Sequence, residues 1–164
     1  MTDDAVWSAV IRWIALHAGC TVIRSHEGGR RPAKPYVMVN FTTSREVREN
    51  PQRIEWAEDT AEDEVTATPV IETEWQFSIH AYGNTPSDIL RPIRSVAHLP
   101  QPNEPLMPSL AVHEVSAIRH VPDYINEAWE PRAQMDLFVH GLTRDGVLVD
   151  VIEDVSFDIQ PASE

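Results

Sequence analysis

The sequence predicts one α+β domain, in which a mostly antiparallel β-sheet carries an N-terminal helix and a second, central helix on one face. Apolar residues recur with helical spacing near the N-terminus, and several later segments alternate apolar and polar residues as strands do. The predicted order is helix, strands, helix, strands. With 164 residues and 42% hydrophobic residues, the chain is long enough for a core, so we expect a single domain over 1–164.

The first helix is predicted from Asp3 to Ala18. Its apolar positions form one wide face at helical spacing, made of Val6, Val10, Trp13 and His17 with Trp7, Ile11, Ile14 and Ala18 beside it. Thr2 or Asp3 is expected to cap its start, and Gly19 to end it. The two tryptophans indicate that this helix packs against a sheet or a neighbouring subunit.

Alternating residues predict strands at 21–24, 36–43, 74–82, 112–120 and 133–143. Asp145-Gly146 is typical of a type I′ hairpin turn, so we expect residues 147–159 to pair back on the preceding strand. The second helix is predicted to start after Thr85, with Pro86 at its first position. Pro92 should kink that helix or cut it short.

The stretch 43–70 is polar and has little periodicity except near Ile54 and Trp56. It predicts a long acidic hairpin arm or a loop, and it exceeds an ordinary connection in length. This length favours an interaction surface that becomes ordered on assembly. The last residues, 160–164, are expected to form a flexible C-terminus.

The net charge of −13 is unevenly distributed. Residues 1–53 hold eight Lys or Arg against five Asp or Glu, whereas 54–90 hold nine acids and no Lys or Arg. Specific binding of duplex DNA requires a basic face, and this chain has only a small basic cluster. The acidic excess favours solubility, docking on basic surfaces, or a wall that repels nucleic acid.

No enzyme signature is visible, and we expect no catalytic residues, metal site or cofactor. His17 and Cys20 lack a second ligand pair at zinc spacing, and the carboxylates at 62–64 lack the calcium-loop pattern. The serines lack a nucleophile elbow, and Gly28-Gly29 lacks the spacing of a phosphate loop. A small ligand-binding or enzymatic domain that uses His80 and His140 remains an alternative.

Three short motifs carry a resemblance to a known family. They are Arg31-Pro32-x-x-Pro35-Tyr36-Val37, Phe77-Ser78-Ile79-His80-Ala81-Tyr82-Gly83 and Trp129-Glu130-Pro131-Arg132-Ala133. In this order, around the helix after Thr85, they resemble the phage neck terminator family, relatives of tail terminator proteins, over most of residues 6–151. The resemblance implies a structural virion protein that forms a homohexameric ring, caps the tail tube and joins it to the head-side connector.

The implied partners are other copies of the chain, the tail tube protein, the head-side connector or stopper, and the sheath protein if the tail contracts. DNA would only pass through the lumen, and no membrane is involved. The implied location is the neck or tail of the virion, after assembly in the host cytoplasm. A head-completion or stopper protein of the same neck is the closest alternative.

A closed ring needs two different patches on each subunit, because a heterologous contact closes by rotation. The basic first third and the acidic middle of the chain are candidates for these patches. We expect the acidic strand faces to line the lumen and the basic residues to meet an acidic neighbour. The candidate contact residues are Arg24, Arg30, Arg31, Lys34, Glu58, Asp59, Glu62, Asp63, Glu64, Trp129 and Arg132.

Overall fold

A computed structural model describes residues 1–59, 64–125 and 127–149. The helices are α1 (Asp3–Ala18), α2 (Pro86–Val96) and the short α3 (Pro100–Asn103), which a 3-10 turn (Glu104–Leu106) follows. The strands are β1 (Thr21–Arg24), β2 (Tyr36–Glu46), β3 (Arg53–Asp59), β4 (Glu64–Tyr82), β5 (Leu110–Val115), β6 (Arg119–His120), β7 (Asp123–Ile125), β8 (Ala128–Glu130), β9 (Arg132–Arg144) and β10 (Val147–Val149).

The predicted α+β class with a mostly antiparallel sheet is confirmed. The main sheet has the order β1-β2-β4-β9-β5, and within it only β1 and β2 are parallel among the described pairings. Strands β7 and β8 form a separate two-stranded hairpin. Helices α1 and α2 contact each other and pack against the sheet.

The core lies between these helices and one face of β4 and β9. Trp75, Phe77 and Ile79 of β4 are fully buried, as their alternation predicts. Two indole N–H groups hold the helices in place. That of Trp75 in β4 donates to Asp3 of α1 at 2.7 Å, and that of Trp13 in α1 donates to the carbonyl of Pro102 in α3 at 2.8 Å.

Both ends of α1 follow the predicted capping. The hydroxyl of Thr2 accepts a hydrogen bond from the amide of Ala5 at 3.3 Å, and Gly19 adopts the left-handed conformation at φ 64°. The buried side of α1 consists of Val6, Val10, Trp13 and Ile14. The predicted helix therefore forms over its full length.

Strand β4 is the spine of the sheet. Its 19 residues span about 60 Å, at about 3.3 Å per residue. The C-terminal part pairs with β2 on one side and β9 on the other, whereas residues 64–70 pair with β3 and β10. We call β3, residues 64–70 of β4 and β10 the arm. Much of the stretch 43–70 is therefore strand.

The predicted hairpin at Asp145-Gly146 is wrong. Val147 pairs with Ala67 of β4 in the register that β9 already follows, since Arg144 lies opposite Val70. The chain therefore continues along β4 instead of folding back on β9. A Cβ on Gly146 would lie 2.7 Å from the hydroxyl oxygen of Thr68, so this glycine permits close strand contact. Residues 150–159, the rest of the predicted return strand, lie outside the described residues, as does the tail at 160–164.

Three smaller expectations are corrected in part. Helix α2 continues four residues past Pro92, because Leu90 and Ile93 anchor it in the core. Thr85 occupies the N-cap position, but its side chain makes no capping hydrogen bond. The strand predicted at 112–120 is split into β5 and β6, with a bulge at His113 where β5 loses register with β9.

Candidate assembly surfaces

The segments that begin at Arg31 and at Trp129 meet at one end of the sheet. The carboxylate of Glu130, which is buried, accepts from Arg31 at 3.0 Å and from Lys34 at 2.6 Å. The hydrogen bond from Lys34, and then that from Arg31, holds the pKa of Glu130 below its usual value despite burial. These two contacts link the segment that precedes β2 to β8.

Aromatic packing stiffens the same end. Tyr36 begins β2 opposite Tyr82 at the end of β4, and their rings stack with centroids 4.8 Å apart. The guanidinium of Arg31 lies over the ring of Tyr82, 5.4 Å from its centroid. Burial raises the pKa of Tyr36, so its hydroxyl stays neutral at physiological pH.

The β7–β8 hairpin projects two exposed aromatic rings beside this network. Trp129 is 69% exposed, and its ring contacts that of Tyr124, which is also exposed. A groove of about 410 Å³ separates Trp129 from the start of α2. Arg132 is partly buried and lines this groove, where it binds Asp123 at 2.9 Å and the carbonyl of Val121 at 3.0 Å. We call Trp129, Tyr124 and the groove the Trp129 end.

The arm lies at the opposite end of β4 and carries an exposed apolar face. Trp56 of β3 and Val147 of β10 both lie opposite Ala67, so the three side chains share one face. Ile54 follows on that face, two residues before Trp56, which is 63% exposed. Leu148 is exposed on the other face. Contiguous exposed apolar side chains of this kind mark interaction sites.

Acidic residues lie toward the tip of the arm. Glu58 is exposed near the end of β3, and the backbones of Asp59 and Glu64 pair where the hairpin closes. Glu62 and Asp63 lie outside the described residues. Most of the length of β4 therefore separates Glu58 from the Trp129 end.

The predicted basic cluster is divided among different contacts. Arg24 binds Asp4 and Glu27 and lies over the ring of Trp7, so it fastens β1 to α1. Arg31 and Lys34 bind Glu130, as described above. Arg30 is exposed, and among the carboxylates that the structure describes none forms an ion pair with it.

The sequence did not predict that Glu130 joins the segment beginning at Arg31 to the segment beginning at Trp129. It also did not predict the exposed apolar face of the arm. The charge distribution along the sequence indicated neither feature. The faint periodicity near Ile54 and Trp56 was the only hint of the arm face. The alternative of a ligand-binding or enzymatic site that uses both His80 and His140 is not supported, because the two histidines are not brought together. His80 lies opposite Gln134, whereas His140 lies opposite Glu74, six residues from His80 along β4.

In the described part of the chain, no helix has the length and apolar character needed to cross a bilayer. The fold resembles a solved structure of the sheath/tube terminator of an extracellular contractile injection system, PVC, in its extended state. The TM-score is 0.55 at 10% identity, and the match covers 99% of this chain and 65% of the other. At this identity the likeness concerns the fold alone.

A family model described as phage neck terminator protein matches residues 4–162. The chain therefore belongs to the phage neck terminator protein family, and the resemblance seen in its short motifs is confirmed. No curated protein matches the sequence. The family is one of structural components of the phage neck and tail, which assigns this chain a structural, tail-terminating role in the virion.

Proposed function

We propose that this protein terminates the tail as a closed, head-to-tail ring of identical copies, six in number, that caps the tail tube and joins it to the head-side connector. The observation that carries the ring is the pair of exposed apolar surfaces at opposite ends of β4. In each contact, the arm of one copy packs on the Trp129 end of the next.

The distance between the two surfaces supports a ring. A heterologous contact needs two different patches, and these lie about 50 Å apart along the spine strand, at about 3.3 Å per residue between Ala67 and Tyr82. Each surface presents an exposed tryptophan, Trp56 in the arm and Trp129 at the other end. Tryptophan is enriched among the residues that dominate binding energy at interfaces.

Charge supports the same pairing. Glu58 is exposed and places negative charge near the end of β3 in the arm. Near the Trp129 end, Arg30 is exposed and Arg31 and Lys34 remain about half exposed beyond their contacts with Glu130. Opposite potentials orient two copies as they meet and disfavour arm-to-arm contacts. The acidic excess that remains lines the lumen, where it prevents DNA from adhering during passage.

The further partners in this proposal are the tail tube protein, the head-side connector or stopper and, in a contractile tail, the sheath. The structural neighbour is itself described as a sheath/tube terminator, which supports contacts of this class. Assembly takes place in the host cytoplasm, and the ring remains in the neck of the virion.

Two single substitutions test the ring contact. Trp56→Ser disables the arm and Trp129→Ala disables the opposite end, whereas Leu16→Ser, on the exposed side of α1, is the matched control. Light scattering after size exclusion and negative-stain imaging, both with isolated tail tubes present, measure ring formation. Each Trp variant should fold normally and fail to form rings, and the control should assemble.

Mixing the two variants makes the test directional. The intact arm of the Trp129→Ala copy can still bind the intact end of the Trp56→Ser copy, so the mixture should give dimers but no closed rings. Rings formed by either variant alone, or a mixture without dimers, would contradict this contact.

Phage particles that lack the protein separate the terminator role from that of a stopper. Tails of uncontrolled length, or tails detached from filled heads, are expected for a terminator. Heads that lose their DNA while tails have normal ends would assign the chain to head completion.

A further inference from the structure

A cluster of ligand-type side chains occupies the sheet face opposite the helices. His140 of β9 lies directly across from Glu74 of β4, and its Nε2 is 2.9 Å from the Glu74 carboxylate. Its Nδ1 lies 3.4 Å from the carboxylate of Glu72. The ring of His140 is thereby held between two acids at the middle of the sheet.

The bulge in β5 adds a second imidazole. His113 is the extra residue where the register between β5 and β9 shifts, between Val112 and Glu114. A bulge redirects the side chain that it carries, and here the ring of His113 stacks on that of His140 with centroids 4.1 Å apart. Ligand atoms of Glu74, His113 and His140 all lie within 4.8 Å of one another.

We propose that Glu74, His113 and His140 bind one zinc ion. One carboxylate and two imidazoles are ligands that zinc favours, and three protein ligands leave a fourth position for water or for a group from a partner. Zinc binds such ligand atoms at about 2.0–2.2 Å, so the three side chains must rotate toward one another when the ion binds. His113 is exposed, so the ion can enter from solvent.

The supporting contacts match those of a metal site. A histidine that ligates through one ring nitrogen usually donates its other N–H to a carboxylate, and the Glu72 carboxylate lies 3.4 Å from Nδ1 of His140, in position for this role. Arg45 binds the second oxygen of Glu74 at 2.7 Å and so orients this carboxylate.

The three ligands come from three adjacent strands, so the ion fastens β5 and β9 to the spine of the sheet. This site lies apart from the arm and from the Trp129 end. The zinc proposal therefore does not depend on the proposed ring contact. The sequence did not predict this zinc site from the spacing of its ligands, because residues 74, 113 and 140 come together only through strand pairing.

Zinc titration of the full chain tests the site. Protein stripped with EDTA and desalted is titrated with zinc sulfate by calorimetry, and bound zinc is counted by elemental analysis after dialysis. His113→Ala removes an exposed ligand with little risk to the fold, Glu72→Gln weakens the supporting contact, and His98→Ala is a control on an exposed histidine at the end of α2.

The wild type and His98→Ala should bind one zinc per chain with equal affinity. His113→Ala should bind at least about tenfold more weakly, and Glu72→Gln about 10- to 100-fold more weakly. Absence of zinc binding by the wild type at micromolar concentration overturns the proposal, and so does an affinity that His113→Ala leaves unchanged.

Discussion

Replacing Glu130 with glutamine keeps the side-chain volume but removes the negative charge that binds Arg31 and Lys34. This charge joins the segment beginning at Arg31 to the segment beginning at Trp129. Its carboxylate is 9% exposed, whereas Arg31 and Lys34 are 55% and 50% exposed. Ion pairs with half-exposed partners contribute up to about 1 kcal/mol each. The two together predict a loss of about 1–2 kcal/mol in the free energy of unfolding, or about 2–8 °C in Tm for a domain of this size.

The loss should depend on pH in a defined direction. The pKa of Glu130 is lower in the folded protein than its unfolded value of about 4.3, because Lys34 and Arg31 donate to the ionised carboxylate. The stabilisation is therefore fully present above the unfolded pKa and disappears as the pH falls through the folded pKa. The difference between wild type and Glu130→Gln should be largest near neutral pH and vanish in acid.

Urea unfolding followed by tryptophan fluorescence, at pH 7 and at several lower values, measures both effects. Glu127→Gln, an exposed acid on the same hairpin, is the matched control and should change stability by less than about 0.5 kcal/mol. Equal stability of Glu130→Gln and wild type at pH 7, or a difference that grows in acid, would refute the proposed role of this carboxylate.

Three further outcomes are expected. Gly141→Ala should destabilise the fold by about 1–3 kcal/mol in urea unfolding, because its Cβ would lie 2.7 Å from the carbonyl oxygen of Ser109, whereas Gly29→Ala meets no atom within 4 Å and should not show this loss. Asp3→Ala should lower stability by about 1–3 kcal/mol in thermal unfolding, since the buried indole of β4 loses its acceptor; unchanged Tm would contradict this. Arg30→Glu should weaken ring assembly in light scattering, and Glu58→Arg on the adjoining copy should restore it; assembly of the single variant at wild-type concentration would remove charge pairing from the contact.

The regular elements were the most predictable part of the fold. Helix α1 was predicted to its exact ends, because its apolar stripe, its threonine cap and its terminal glycine all agree. The alternation at Trp75, Phe77 and Ile79 likewise identified the buried face of β4. Such signals depend on residues close in sequence.

Local signals misled in two places where partners distant in sequence decide the structure. Asp145-Gly146 has the composition of a hairpin turn, yet its two strands continue along β4, since pairing with residues 65–70 outweighs the local turn preference. Pro92 did not end α2, because burial of Leu90 and Ile93 outweighs one lost hydrogen bond.

The sequence by itself determined the class of fold, the family motifs and the absence of any recognisable catalytic pattern, because each of these resides in short stretches of chain. Only the tertiary structure decided which charges are already paired, that Glu130 joins Arg31 to the Trp129 segment, and that His113 lies on His140. The ion pair between Arg31 and Glu130 alone brings together residues 99 positions apart. Exposure is likewise a property of the packed molecule, so the apolar face of the arm became a candidate contact surface only in the structure, where Trp56 and the predicted contact residue Trp129 are both exposed.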